Sequence, residues 1–438
     1  MENNNNEIVF NPQWYNNLVS RSNEKTLIIN AIQKLAAMHK ASSCLEIGMG
    51  TGKQFSDALA PLFDHYTIIE KYEHALTFHP NVAFIQSDWE NVALTQQYDI
   101  IIASHVFYYF SDKAAAIHKM LNALTGKGIL VLVLNGTGAD YGKIKQFFTD
   151  LTGYPHTFAH DEFLAIPGIK EQCLTFTLPS VLHFNEPADL YQSLQLSFDH
   201  HAEAYAAHQA HITSFIADNF PGQFHIHQKL CLLSNATKPW EYLTQHPDYL
   251  VQLGNITLQV NDGVFTPDPQ ITYSTSWLLE NMPPVKGKDI LDIGCGPGII
   301  ALHCVLQGAN KVIATDIDEM AVRNAIHNMR ALRAEERMEV LESDLFQAVK
   351  GRYHYIFGNL PILDEAWDLG ISAQDILSEF LKGCKNYLLP GGQVFFTWAS
   401  FADMAPVIEV LEELGYGYQI HSTFKHGYDW HFFAVRCA

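Results

Sequence analysis

Apolar residues in this chain gather in short runs that end at glycines or acids, and between the runs they recur every three or four positions. Near the middle, DILDI at residues 289–293 reads as a buried strand, GCGPG as a turn and IIALHCVLQGA as the helix after it. An upstream copy has SCLEI followed by GMGTG over residues 43–52. Further strand-like runs follow each copy: YTIIEK, VAFIQS, DIIIASHVF and GILVLVLN in the first, KVIATD, YIFGN and GGQVFF in the second. Strands alternating with helices predict a parallel sheet covered on both faces, here twice in tandem. The final HGYDWHFFAVRC is expected to close the second sheet as an antiparallel strand.

Each core has a lead. Residues 14–38 carry a helical pattern, clearest in LIINAIQKLAAM. Ahead of the second core, NITLQV, a turn at Asn261, Asp262 and Gly263, and VFTP read as a hairpin, and ITYSTSWLLENM reads as a helix. Between the halves, NATKPWEYLTQH at residues 235–246 reads as a junction, broken at Lys238 and Pro239. Two domains are therefore expected, 1–235 and 236–438, with residues from about 155 to 235 a tail that covers the first core. The asparagine-rich first dozen residues have no periodicity to bury and are expected to fray.

Composition narrows the class. A chain of 438 residues, 48% hydrophobic and 17% charged, suits two globular domains. No apolar run approaches the ~20 residues of a membrane span, and the polar N-terminus does not read as a signal peptide. Seven scattered cysteines suggest a reducing cytoplasm. The net charge of −20 is spread over both halves, which disfavours a nucleic-acid partner. Residues 155–227 are rich in histidine, with His201, His208, His211 and Glu203 close together. With 22 histidines in the chain this follows composition, and no metal is expected.

The turns carry the chemistry. Each is acidic-x-G-x-G-x-G: Glu46, Gly48, Gly50 and Gly52 in the first copy, Asp292, Gly294, Gly296 and Gly298 in the second. The dinucleotide fingerprint G-x-G-x-x-G places its third glycine one position later and cradles a pyrophosphate. A carboxylate beside the turn would repel a pyrophosphate and suit a ligand carrying an ammonium and a sulfonium. A second acid ends the next strand in both copies, Glu70 and Asp316, placed to hold a ribose diol. A third polar position follows the third strand, Asp88 and Asp344, placed to accept from an adenine amine.

On this ordered set, both halves resemble class I S-adenosylmethionine-dependent methyltransferases. The resemblance implies an α/β fold of two Rossmann-like domains, each a mostly parallel seven-stranded sheet with an antiparallel closing strand. It implies one S-adenosylmethionine per domain, with Trp89, Ser104, Ile317, Leu345 and Asn359 also at the cofactor. The first half is similar to the histamine N-methyltransferase family through the stretch SNEK at residues 22–25, HVFYY at 105–109 and NGTG at 135–138. It departs at Lys53 and at His105, where that family has a glutamine-like residue. Tyr15, His105, Tyr108 and Tyr109 are its candidate substrate residues. The second half resembles the small-domain methyltransferases, which include enzymes of release-factor glutamine and ribosomal RNA guanine.

The second chemical signature is YIFGNLPIL at residues 355–363. It resembles the Asn-Pro-Pro-aromatic motif of amino-methylating enzymes. Asn359 Oδ1 and the Leu360 carbonyl can each accept a hydrogen from a conjugated NH2, and Pro361 fixes the turn. Methyl transfer is then largely a matter of in-line positioning. Ile362 stands where the motif has an aromatic residue to stack on a planar acceptor. Ile362 and the acidic balance favour a small molecule or peptide as acceptor over RNA or DNA. The resulting reading is a cytoplasmic tandem N-methyltransferase. Its rivals are a methyltransferase of protein glutamine or RNA built from the second half, and a scaffold that binds cofactor without turnover.

Overall fold

The computed structural model describes residues 11–50, 52–73, 75–234, 239–362 and 372–437. The chain divides into two compact units, Met1–Thr237 and Lys238–Ala438. Residues 235–238, with Lys238 of the expected break, and most of the asparagine-rich start lie outside the described residues, as does Leu363, while Pro239 opens a short helical turn, Pro239–Tyr242.

The first unit contributes seven strands: β1 (Ser43–Ile47), β2 (His65–Glu70), β3 (Val82–Gln86), β4 (Tyr98–Ser104), β5 (Leu124–Gly138), β6 (Cys173–His183) and β7 (Gln223–Ser234). They lie side by side in the order β3-β2-β1-β4-β5-β7-β6. The first five are parallel, and β7 runs antiparallel to both β5 and β6. The tail expected to roof the first core thus supplies the last two strands of its sheet. Its helices Pro187–Leu194 and Gln209–Asn219 pack with the helices Pro12–Val19 and Ala139–Thr152 around a second apolar cluster that includes Ile144, Leu190 and Ile216. Arg21 fixes the leading segment there, pairing with Asp189 at 3.0 Å.

The second unit opens with a hairpin, β8 (Tyr249–Leu253) and β9 (Ile256–Val260), paired Leu253 to Ile256 and Tyr249 to Val260. Its turn is Gly254 and Asn255, not Asn261 to Gly263 as the sequence suggested. Gly254 takes the positive φ (59°) that a two-residue turn needs, and YLVQL and ITLQV present alternate residues to the core. The free edge of β9 is bonded by side chains of the helix Glu319–Ala331. Asn324 and Asn328, both buried, bond the backbone of Gln259 and Asn261, and Asn328 also donates to Pro297 O in the glycine turn. The hairpin is thereby tied to the glycine turn.

Then come β10 (Asp289–Ile293), β11 (Lys311–Asp316), β12 (Met338–Glu342), β13 (Tyr353–Gly358), β14 (Leu388–Ala399), β15 (Tyr416–Lys425) and β16 (Tyr428–Cys437). Their order, β12-β11-β10-β13-β14-β16-β15, repeats the topology of the first unit. The final strand β16 runs antiparallel, as expected, and lies between β14 and β15. Ile290, Leu291 and Ile293 of the central strand are buried. Each such side chain contributes about 1.5–3 kcal/mol by leaving water. Both units are therefore Rossmann-like α/β domains, and ligands of such sheets bind at the carboxyl ends of the strands.

Candidate functional site

In the second unit the carboxyl end of β10 runs into the glycine turn. Gly294, Gly296 and Gly298 have φ of 70°, 53° and 91°, a region that costs other residues strain. A side chain at Gly294 would stand 3.0 Å from Leu360 Cδ2, so the turn and the Asn-Leu-Pro segment touch. Asp316 ends β11 and accepts from Gly296 N at 2.8 Å and from Asp318 N at 3.1 Å. Ser343 N donates to Asp316 O, which draws the end of the third strand to the end of the second. The Ser343 hydroxyl then bridges Leu345 O and Ala348 N, holding Leu345 at φ 43°. Asp344 is exposed beside it.

A cavity of about 990 Å³ brings these elements together. Gly294, Gly296, Asp316, Ile317, Asp344, Leu345, Asn359, Leu360, Pro361 and Ile362 line it, and Phe265 and Pro267 come from the segment after the hairpin. Asp292 and Gly298 do not line it. Asp292 is wholly buried behind the turn, where Oδ2 accepts from Ala301 N at 3.1 Å and Oδ1 has no partner. Burial pushes its carboxyl up to about 7, against the pull of the Ala301 bond. A glycine turn that opens on the cavity, with Asp316 beside it and Asp344 further along the wall, suits a ligand with a diol and an adenine amine, while Asp292 supports the turn from behind. S-adenosylmethionine is such a ligand, and these residues would hold it.

Asn359 follows β13 directly. Its Nδ2 donates to Thr275 Oγ1 at 3.0 Å, and its Oδ1 accepts from Thr397 Oγ1 at 2.7 Å. Thr275 begins a helix, Ser274–Asn281, and Thr397 lies on β14; both are buried. The two hydroxyls hold the amide in place, with Oδ1 toward Thr397, and leave a second lone pair on Oδ1. Sequence reasoning missed both threonines. They lie 84 and 38 residues from Asn359, and only the sheet order brings them together.

The first unit repeats part of this arrangement. Gly48 and Gly50 have φ of 73° and 67°, while a side chain at Gly52 would meet nothing within 4 Å. Glu70, buried at the end of β2, accepts from Gly50 N at 3.3 Å and Tyr72 N at 3.1 Å, and Ser87 N donates to Glu70 O. Glu46 accepts from Tyr66 Oη at 2.8 Å, and burial lifts its carboxyl to about 7. The Tyr15 ring covers Gly50, 3.3 Å from where a side chain would begin. Asp88 pairs with Lys71, the residue after Glu70, at 3.5 Å, whereas Ile317 follows Asp316 in the second unit. Trp89 is packed in the core, with Nε1 donating to Ala116 O.

Ser104 ends β4, and His105 after it holds φ 55°. The His105 ring contacts the Tyr108 hydroxyl at 3.3 Å, and Nε2 lies 3.1 Å from Glu24 Oε1, at ion-pair distance but off the line of a hydrogen bond. Gln228 donates to the other Glu24 oxygen. Glu24 lies in the SNEK stretch but was not singled out as a site residue. Tyr109 remains partly exposed beside this group. Among the described residues, no group of three His, Cys, Asp or Glu side chains could hold a metal.

Residues 255–425 match the methyltransferase small domain family and residues 20–158 a methyltransferase domain family. A Methanocaldococcus jannaschii protein, named for protein N5-glutamine methyltransferase activity, is 31% identical over 188 residues, covering 40% of this chain and 92% of that protein. Ribosomal protein L11 methyltransferase of Thermosipho melanesiensis is 31% identical over 35% of this chain, and ribosomal RNA small subunit methyltransferase C of Mannheimia succiniciproducens is 30% identical over 39%. This chain spans 59% and 48% of those two proteins. A 16S ribosomal RNA methyltransferase of T. thermophilus, solved with AdoMet and guanosine, aligns over 90% of both chains at 17% identity and a TM-score of 0.34.

These relatives are named for work on protein or ribosomal RNA, which corrects the expectation of a small-molecule acceptor with nucleic acid disfavoured. That expectation leaned on net charge, which averages the whole surface, while an acceptor is chosen locally. No helix among the described residues is long and apolar enough to cross a membrane. The chain belongs to the S-adenosylmethionine-dependent methyltransferases, with a small-domain methyltransferase as its second half.

Proposed function

We propose that the second unit methylates an NH2 group with a delocalised lone pair, an amide or an exocyclic amine, carried on a macromolecule. The observation that carries this reading is Asn359, held by two buried threonines in the same cavity as the glycine turn and Asp316. The names of the relatives, which join protein glutamine and ribosomal RNA as acceptors, support the same chemistry.

When bound, S-adenosylmethionine supplies a methyl group on a positively charged sulfur. The chain does the rest by position. Asn359 Oδ1 and the Leu360 carbonyl accept the two N–H bonds of the acceptor, which turns the nitrogen lone pair toward the donor side of the cavity. Pro361 holds the backbone that presents that carbonyl. Asp316 and the glycine turn hold the donor, and the apolar walls keep water from the reacting nitrogen. We assign the first unit as a second donor site, on the match between the Glu70 to Gly50 and Asp316 to Gly296 bonds.

The test is transfer of labelled methyl from S-adenosylmethionine into a ribosome-containing cell extract, followed by size separation. Label in protein or RNA supports the reading. Cofactor binding with no transfer to any fraction would leave a scaffold.

A further inference from the structure

The motif at residues 359–362 lacks its aromatic residue, yet the cavity does not lack an aromatic wall. Phe401 and Trp430 both line it, in company with Asn359 and Ile362. Phe401 lies just past the carboxyl end of β14. In β14, Phe396 is paired with Gly358, and Thr397 bonds Asn359. Phe401 therefore follows the strand beside the one that ends at the motif. We propose that Phe401 is the specificity residue for the acceptor, supplying the stacking face that Ile362 does not, and that the acceptor group is a flat purine-like ring bearing NH2.

The loop around Phe401 is built as a rigid support. Ser400 N donates to Asp429 O at 2.9 Å, and Asp429 N donates to the Ser400 hydroxyl at 2.9 Å. Ala402 N donates to Ala399 O, and Trp398 Nε1 donates to Asp403 O. Trp430 meets Phe401 edge to face, with centroids 5.7 Å apart and planes at 82°, and Tyr428 does the same at 5.1 Å and 88°. Trp430 is itself buried and pinned by Nε1 to Lys425 O at 3.0 Å. Two neighbours pack nearly perpendicular to the Phe401 ring and fix its orientation at the cavity wall. A fixed ring loses little freedom when a base settles on it.

A cavity of about 990 Å³ stands at the upper end of what one drug-sized ligand occupies, which leaves room for a ring beside the donor. An amide side chain is slender and would leave much of the aromatic corner uncovered, so the corner favours the ring.

This inference rests on the reading of Asn359 as the methyl-transfer residue, and the experiment separates the two. The full chain, saturated with S-adenosylhomocysteine, is titrated with guanosine, with adenosine and with a glutamine-containing tripeptide amide, using saturation-transfer NMR. The expected result is binding of at least one nucleoside, weakened about tenfold by Phe401→Leu, as loss of base stacking does elsewhere, and restored by Phe401→Tyr. Retained S-adenosylhomocysteine binding shows that the variant is folded. Equal nucleoside binding by Phe401→Leu, failure of both nucleosides to bind, or binding of the tripeptide alone would each overturn the proposal. None of these outcomes touches the role of Asn359, which fails separately if Asn359→Ala retains methyl transfer.

Discussion

An asparagine amide can turn either its oxygen or its nitrogen toward an acceptor NH2, and only the oxygen helps. At Asn359 the amide is held by Thr397, which donates to Oδ1, and Thr275, which accepts from Nδ2. Thr397→Val removes the donor while keeping the shape, so methyl transfer should drop roughly tenfold or more through lost orientation. Thr397→Ser should restore it, and S-adenosylhomocysteine affinity should not move in either. A valine variant with unchanged turnover would show that the amide is oriented by other means. The two buried acids under the turns make a second prediction at this scale. Asp292 rises from 3.8 to about 7 and Glu46 from 4.5 to about 7, in both cases chiefly through burial. Between about pH 4 and 7 the native state thus holds protons that the unfolded chain has released. The contribution of these two acids to the stability of the ligand-free protein should therefore fall as pH rises through that window, by on the order of 1 kcal/mol per pH unit per group, against the opposite slope of His160 and His227, which burial pushes down to about 4. Urea unfolding of the parent and of Asp292→Asn at pH 5 and pH 7 checks this: the variant should gain stability relative to the parent between the two pH values, and an unchanged difference would contradict the assignment. Asn359 was legible because its neighbours in sequence form a motif. Thr275, Thr397, Phe401 and Trp430 were not, because no local pattern marks a residue that matters only through sheet order.

The strands and glycine turns were legible as elements because their apolar runs are dense and their ends are punctuated by glycine and acid. The hairpin was placed one strand too late. Asn-Asp-Gly is a strong turn signal, but Gly254 and Asn255 sit between two runs of equal length and alternate pattern, and tertiary packing chose them. The side chains that bond the edge of β9 belong to a helix some 60 residues away and left no trace in the periodicity of the hairpin itself. Asn328 bonds both the hairpin and Pro297 of the turn, so Asn328→Ala strips partners from buried backbone groups at once. A loss of about 2–3 kcal/mol is expected on chemical denaturation, since each orphaned buried group costs about 1–3 kcal/mol. Weaker donor binding should accompany it, because the turn loses its tie to the hairpin. Denaturation unchanged from the parent would mean that water replaces the amide without cost.

At the scale of the whole molecule, one topology occurs twice, with the same acid-to-glycine bond at the mouth of each sheet. Calorimetry should find two S-adenosylmethionine sites per chain, and Asp316→Ala and Glu70→Ala should each remove one. A single site in the parent would make one unit a support for the other. The fold was readable at this scale because repetition of an ordered set of residues is hard to produce by chance. The acceptor was not, because net charge carries no information about one cavity. The most direct test of the account compares the intact chain with its Asn359→Ala variant, using tritiated donor and a ribosome-containing extract and measuring S-adenosylhomocysteine binding in parallel. The account predicts label in the macromolecular fraction, lost in the variant at unchanged S-adenosylhomocysteine stoichiometry. Full labelling by the variant would contradict it.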